Sequence, residues 1–249
     1  MNSYAKKFIK QIFDRYFWRQ HPEAALRYMP VVKEIKKAKL QSAKILEIGS
    51  GSLGIVPYLK KDIDGIDVDF NGPQTKHLNK IKGVATDLPF RKNSYDVSIS
   101  VDVLEHIKPQ DREEAIYEML KVTKKLAVIV TPCGEHSENQ DIELQKRWNR
   151  IFKEKNQFLE EHVKYGLPKN EDVFVYIDRS LRKLQKVAKT RSYPNLNINI
   201  RKILMTTWIT KNQLLYYLYL KGFLLLTPVL KYCNFGKTYR RVFVVEFSP

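Results

Sequence analysis

Three glycines and two acids give this chain its clearest chemical signature. Gly49, Gly51 and Gly54 stand in the spacing Gly-x-Gly-x-x-Gly, directly after the run Lys44-Ile45-Leu46-Glu47-Ile48. Glycine lacks a Cβ, so the backbone there can turn sharply and approach a ligand closely. The amides of such a turn, with the N-terminus of the next helix, offer hydrogen-bond donors. A second apolar run ends at Gly65-Ile66-Asp67-Val68-Asp69. A carboxylate at that strand tip, Asp67, is placed to accept hydrogen bonds from the vicinal hydroxyls of a ribose. Together the two segments read as a nucleotide-binding strand–helix–strand unit. The glycine triplet alone suits more than one class of nucleotide cofactor.

The next segments narrow the choice. Ala85-Thr86-Asp87-Leu88-Pro89-Phe90 is followed by Tyr95-Asp96-Val97-Ser98-Ile99-Ser100-Val101-Asp102 and then Val103-Leu104-Glu105-His106-Ile107. From about Leu40 to Thr131 the chain resembles the class I S-adenosylmethionine (SAM)-dependent methyltransferases, especially their broad small-molecule group. A dinucleotide oxidoreductase would share the glycine loop and Asp67, but not the Leu-Pro-Phe and Leu-Glu-His blocks. The resemblance implies SAM as cofactor. It implies that Glu47, Gly49, Ser50 and Gly51 border the methionine moiety, that Asp67 holds the ribose and that Val68 packs on the adenine. Thr86, Asp87 and Leu88 would border the adenine edge, and Val101 and Asp102 would lie under the sulfonium. The chain departs from many relatives in having Leu53 in place of a third loop glycine and Val84 in place of an acid before Asp87.

Methyl transfer asks for alignment and exclusion of water, and an oxygen acceptor also benefits from a base. His106 is the first candidate, because it follows strand four and an imidazole titrates near neutrality. Asp102, His136 and His162 are the alternatives. His136 follows Thr131-Pro132-Cys133-Gly134, and His162 lies in Glu160-Glu161-His162. His21 and His77 read as surface residues. The two cysteines, Cys133 and Cys233, lie far apart in no metal-like spacing, so neither a zinc site nor a disulfide framework is expected, and a reducing, cytoplasmic compartment fits.

Positioning these residues requires an α/β fold. Strand one with its loop is predicted at Leu46 to Gly54, strand two ends at Gly65 to Asp69, and further strands are predicted at Gly83 to Ala85, at Tyr95 to Val101 and at Leu126 to Thr131, with helices between them. That alternation implies a doubly wound, mostly parallel, seven-stranded Rossmann-like sheet with an antiparallel last strand. Helices are expected at Ser3 to Arg19, from Pro22 through Lys39, and at Pro109 to Lys121, the last with Ala115, Ile116, Met119 and Leu120 inward. The whole reads as one methyltransferase domain: N-terminal helices in 1–40, a SAM-binding half in 41–134, a helical substrate-lid insert in 135–209, and a last helix with strands six and seven in 210–249. Loops as long as that insert usually have their own structure and a function.

The run from Leu214 to Leu230 is apolar enough to suggest a membrane span. Lys221, Gly222 and Pro228 speak against the roughly 20 apolar residues that a spanning helix needs. The expectation is instead a helix from Lys211, capped by Thr210 and Gln213 and stopped at Gly222. Strand six would follow at Phe223 to Leu226, with strand seven at Tyr239 to Phe247 after a turn at Asn234-Phe235-Gly236.

Charge supplies the last cue. The 249 residues carry a formal net charge of +17, and no acid occurs from Arg179 to Val245. Such asymmetry attracts polyanions, an anionic membrane surface or RNA among them. The function expected is methyl transfer, mainly to oxygen, on a small-molecule, glycan or lipid-linked acceptor, with peripheral attachment to the inner face of the membrane. An RNA methyltransferase acting on ribose or carbon is the first alternative, although no separate RNA-binding module is visible. A non-catalytic scaffold is the second, and the intact Glu47, Gly49, Gly51 and Asp67 disfavour it.

Overall fold

Runs that are apolar on both faces become the central strands of a sheet covered on both sides. In a computed structural model describing residues 17–248, β1 (Ile45–Ile48), β4 (Tyr95–Val101) and β5 (Thr123–Pro132) lie side by side and parallel. β2 (Ile63–Asp67) and β3 (Leu78–Lys82) extend the parallel sheet beyond β1. β7 (Thr238–Phe247) pairs antiparallel with both β5 and β6 (Ala188–Asn197). The order is β3-β2-β1-β4-β5-β7-β6, the seven-stranded, mostly parallel Rossmann-like arrangement expected from the sequence.

Alternate residues of each strand feed two cores. On one face α1 (Pro22–Lys37) packs through Tyr28, Val31 and Ile35 onto Ile45, Val97, Ile99, Val128 and Val244. On the other, α3 (Arg112–Val122) buries Ala115, Ile116, Met119 and Leu120, and α6 (Asn170–Leu184) adds Val173, Ile177 and Leu181. The short α2 (Val56–Leu59) follows the glycine loop. Between β5 and α6 stand α4 (Glu135–Phe152) and α5 (Gln157–Tyr165), held by Leu144, Trp148 and Leu159 against Met205 and Ile209 near the end of α7 (Ile198–Trp208).

Several expectations are corrected. The third strand runs through Leu78–Lys82 rather than Gly83 to Ala85, because Ile63↔Leu78 and Ile66↔Ile81 set its register. Strand six is Ala188–Asn197, inside the segment read as a helical insert. Its sequence has no apolar run and contains Pro194, which an edge strand tolerates. Phe223 to Leu226 is not a strand. One helix, α8, runs from Gln213 to Leu230 with a π-helical stretch at Leu218–Phe223. Asn212, not Thr210, caps it, accepting the amides of Leu214 and Leu215 at 2.9 and 3.2 Å. Gly222 falls in the π stretch and does not end the helix. The Leu224 carbonyl, which Pro228 cannot satisfy, takes the Thr227 hydroxyl at 2.7 Å. By length and composition α8 could cross a membrane, with 17% of it buried. The turn at Asn234-Phe235-Gly236 leads from α8 into β7 and does not join strands six and seven. The helix expected at Ser3 to Arg19 lies outside the described residues except for Phe17–Arg19, which form a bend and turn.

The acid-free stretch is less of a basic face than its composition implies. Arg191 pairs with Glu34 and Glu246, Arg201 with Asp141, Arg240 with Asp102 and Glu23, and Arg179 with Glu113. Lys186 donates to the carbonyls of Leu120 and Thr123. Much of this charge is therefore neutralised by acids from the other part of the chain.

Candidate functional site

The glycine loop leaves β1 beside the ends of β2 and β4, where the sheet's connections diverge and ligands of such folds bind. Gly49 is left-handed, at φ +72°, and a Cβ on it would lie 2.3 Å from Val103 Cγ2. Gly51, at φ +55°, has nothing among the described residues within 4 Å of where a Cβ would stand. The loop thus offers open space rather than donors: the Gly49 amide donates to the Ile66 carbonyl at 2.8 Å, and that of Gly51 to Asp67 Oδ2 at 2.7 Å. Asp67 also takes the Asp69 amide on Oδ1 at 3.2 Å and stays half-exposed at the tip of β2, so lone pairs on both oxygens remain for a ligand's hydroxyls. Val68 next to it is exposed.

Glu47 is enclosed by the chain around it. It is fully buried, accepting the Tyr28 hydroxyl on Oε1 and the Ile55 amide on Oε2, both at 2.7 Å. Burial pushes its carboxyl up to about 7 against these two hydrogen bonds. Glu47 therefore ties β1, α1 and the residue after the loop together. Gly54 is required beside it, since a Cβ there would sit 2.2 Å from Glu47 Oε2. Ser50 is buried, and its hydroxyl donates to the Gly51 carbonyl. Thr86 is half-buried and Asp87 exposed, in a turn closed by the Val84↔Asp87 bridge. Leu88 points into the core, and its amide donates to Glu118 Oε2 at 2.9 Å. Val101 is likewise a core residue at the end of β4.

Asp102 is a poor proton acceptor. It is left-handed (φ +53°), and Arg240 grips both of its oxygens at 2.6–3.0 Å while Arg27 donates at 3.0 Å. Despite burial, these two guanidinium groups hold its carboxyl well below the usual carboxylate range. Sequence reasoning placed neither arginine in the site. Arg27 lies 75 residues and Arg240 138 residues from Asp102, and no local pattern links them.

Of the histidines, the structure brings His106 and His162 together and sets His136 apart, exposed on the first turn of α4. His106 closes the 3₁₀ turn Leu104–His106 after β4, and His162 comes from α5. Their Nε2 atoms are 3.4 Å apart. His106 Nδ1 meets Glu161 Oε2, and His162 Nδ1 meets Asp141 Oδ2, each at 2.8 Å. Burial and the neighbouring His162 lower the His106 pKa. For His162, burial is outweighed by Asp141 and Glu105, and its pKa is raised. Glu105 is fully buried, and burial with the nearby Asp102 charge pushes it up to about 8. Glu105, Glu161 and Asp141 were not singled out from sequence, although Leu-Glu-His and Glu-Glu-His put two of them beside the candidate histidines. Cys133, half-buried near Glu105, is pushed up out of the thiolate range by desolvation.

Comparison with known proteins agrees with this geometry. A family profile described as a methyltransferase domain matches residues 46–131. The demethylmenaquinone methyltransferase of Paenarthrobacter aurescens (strain TC1) is 26% identical over 165 residues, covering 63% of this chain and 61% of that protein. The chain thus spans about three-fifths of the length of this curated relative. The methyltransferase domain of bacterial CtHen1-C superposes with a TM-score of 0.50 at 14% identity, covering 90% of this chain and 98% of that one. A SAM-dependent methyltransferase of Thermotoga maritima superposes with a TM-score of 0.50 at 15% identity, covering 97% of each chain. At such identities the likeness is one of fold.

Proposed function

We propose that the chain, whose residues 46–131 match a methyltransferase domain, is a class I SAM-dependent methyltransferase that methylates an oxygen of a small, lipid-linked acceptor at an anionic membrane surface. The observation that carries the cofactor half is the open left-handed loop at Gly51, locked to a half-exposed Asp67 at the neighbouring strand tip. These residues fit an adenosyl group, with room at the loop, a carboxylate for ribose hydroxyls and exposed Val68 for the adenine face. Bound SAM supplies an electrophilic methyl on a sulfonium. The chain's own residues bind, orient and exclude water. Thr86 and Asp87 border the same crevice, while Glu47 and Val101 act from beneath it by holding the loop and the end of β4. Asp102, held by Arg240 and Arg27, fixes the turn after β4. It leaves His106, the nearest imidazole after that strand, to stand over the acceptor.

The acceptor half rests on α8. Leu214, Tyr217, Leu225, Val229 and Tyr232 are 54–76% exposed along it and just beyond. Lys211 and Lys237 are exposed near its two ends, and Lys231 is half-exposed. An amphipathic helix bearing aromatic, leucine and lysine side chains is suited to lie in the membrane interface. It is joined to the site through Tyr219, whose hydroxyl meets His21 at 2.8 Å next to α1, the helix that supplies Arg27. The relative named for demethylmenaquinone supports a small-molecule acceptor. The free Cys133 and Cys233 suit a reducing compartment and so support reading this surface as the cytoplasmic side of the membrane. To test this reading, the protein is incubated with radiolabelled SAM and either a lipid extract, a water-soluble extract or RNA. Label entering the lipid extract supports the proposal, whereas label entering only RNA or only the water-soluble fraction overturns the acceptor class.

A further inference from the structure

Glu105, His106 and His162 make a second constellation beside the end of β4. One carboxylate oxygen of Glu105 and one nitrogen from each ring lie within 4.8 Å of one another. The hydrogen bonds around them leave this cluster electrically incomplete. Carboxylates only accept, so Glu161 and Asp141 each hold a histidine with its hydrogen on Nδ1. A neutral ring so held turns a lone pair outward from Nε2. The two Nε2 atoms then face one another at 3.4 Å with a lone pair on each. Glu105 adds a third lone-pair donor. It is fully buried, its Oε2 takes the Thr131 hydroxyl at 3.0 Å, and its Oε1 has no partner among the described residues. An unpartnered buried carboxylate oxygen is expensive. Three lone-pair atoms within 4.8 Å of one another form a set that a cation among them would satisfy.

We propose that Glu105, His106 and His162 bind a divalent transition-metal cation, with an open coordination position facing the acceptor. Two imidazole nitrogens about 2.05 Å from one tetrahedral ion are about 3.3 Å apart, which the observed 3.4 Å separation matches. The Glu105 oxygen, within 4.8 Å of both nitrogens, closes by at most about 1.5 Å to reach the same spacing and complete the set. Around the ligands stand the groups that such sites use to fix ring orientation: Glu161 on His106 and Asp141 on His162. Asp141 is itself set by the Tyr239 hydroxyl at 2.7 Å and by Arg201 at 2.9 Å. Two imidazoles with one carboxylate select zinc, cobalt, manganese or iron over magnesium and calcium, which favour oxygen-only sets. Three protein ligands leave room for an outside oxygen. The His106 side chain is 23% exposed and Glu161 25%, so the position opens outward. The ligands come from both sides of the fold, His106 and Glu105 from the strand turn and His162 from α5. The ion would therefore pin the insert over the cofactor half. Metal binding stands on its own geometry, and only its use on the acceptor rests on the function proposed above.

The test is a titration of the chelator-treated full chain with Co2+, followed by visible absorption, and with Zn2+, followed by calorimetry. One ion per chain is expected, with d–d bands typical of nitrogen ligation. His162→Ala and His106→Ala should each weaken binding at least 100-fold, and Glu161→Gln, a positioning change, about tenfold. The thermal shift of each variant with S-adenosylhomocysteine reports that it is folded, because Asp67 and the glycine loop are untouched. No band and no heat with the wild-type chain overturns the proposal. So does binding that survives His162→Ala, which would leave the two rings as a hydrogen-bonded pair sharing one proton. Because nucleoside and metal are measured separately, failure of the metal site is distinguishable from failure of the SAM reading.

Discussion

Replacing Glu47 with glutamine should change how the protein's stability responds to pH. The carboxyl is fully buried and its pKa is raised from 4.5 to about 7 by burial. A carboxyl that holds its proton more tightly folded than unfolded supports the fold when neutral. Its contribution is complete below about pH 4.5 and is lost as pH rises through 7. A shift of about 2.5 pKa units at about 1.36 kcal/mol each is roughly 3 kcal/mol lost across that window. For a chain of this size that is a Tm change of roughly 6–12 °C. Glutamine fits the site in one orientation. Its carbonyl accepts the Ile55 amide, as Oε2 does at 2.7 Å, and its amide group donates to the Tyr28 oxygen now 2.7 Å from Oε1. The variant cannot ionise, so it escapes the loss. Half-buried His21, lowered to about 4 mainly by desolvation, tilts both proteins equally in the opposite sense, and the comparison cancels it. Differential scanning calorimetry of wild type and Glu47→Gln from pH 4.5 to 8 should show the two Tm curves separating in favour of the variant as pH rises. Parallel curves would refute the assignment of a buried, proton-holding carboxyl to this position.

Three further outcomes follow from named contacts. Gly49→Ala places a methyl 2.3 Å from Val103 Cγ2 at φ +72°, so it should cost more than the roughly 1–2 kcal/mol of a left-handed alanine. Gly51→Ala meets nothing within 4 Å and should cost only that amount while weakening nucleoside binding, and urea unfolding compares the two. Arg240→Leu leaves Asp102 and Glu23 buried with Arg27 alone, and should destabilise by about 3–5 kcal/mol, a Tm fall of at least roughly 6 °C by calorimetry. Leu214→Glu with Val229→Glu, at positions 76% and 65% exposed, should leave Tm unchanged and reduce co-sedimentation with phosphatidylserine-containing vesicles several-fold, and undiminished sedimentation would count against α8 as the membrane surface.

The parts of the fold legible in the sequence are those where local pattern and tertiary burial coincide. The apolar runs of β1, β4 and β5 admit no other use, and glycines at 49 and 51 stand where left-handed backbone is needed. Where tertiary contacts decide, the sequence misleads. Ala188–Asn197 is largely half-exposed and carries no apolar run, so its pairing to Thr238–Phe247 is invisible locally. Leu-Leu-Leu at 224–226 reads equally as buried strand or helix, and helix wins because the chain can lay one face on Leu26 and Leu204. In the site, Asp67 and the loop are near neighbours in sequence, whereas the Asp102 clamp and the His106–His162 pair join residues 56 to 138 positions apart. Glu47 was legible as an important acid but not as a buried one, because nothing in its strand announces the Tyr28 hydroxyl waiting on α1.

The most direct measurement is calorimetric titration of S-adenosylhomocysteine into the wild-type chain and into Asp67→Ala, with NADH as the comparison ligand. One nucleoside site should appear in the wild type. Loss of two charged hydrogen bonds, at about 1.5–3 kcal/mol each, should weaken it at least 100-fold in the variant, and NADH should give no heat. Equal affinity in both proteins, or binding of NADH in place of S-adenosylhomocysteine, would contradict the crevice between β1 and β2 as the cofactor site.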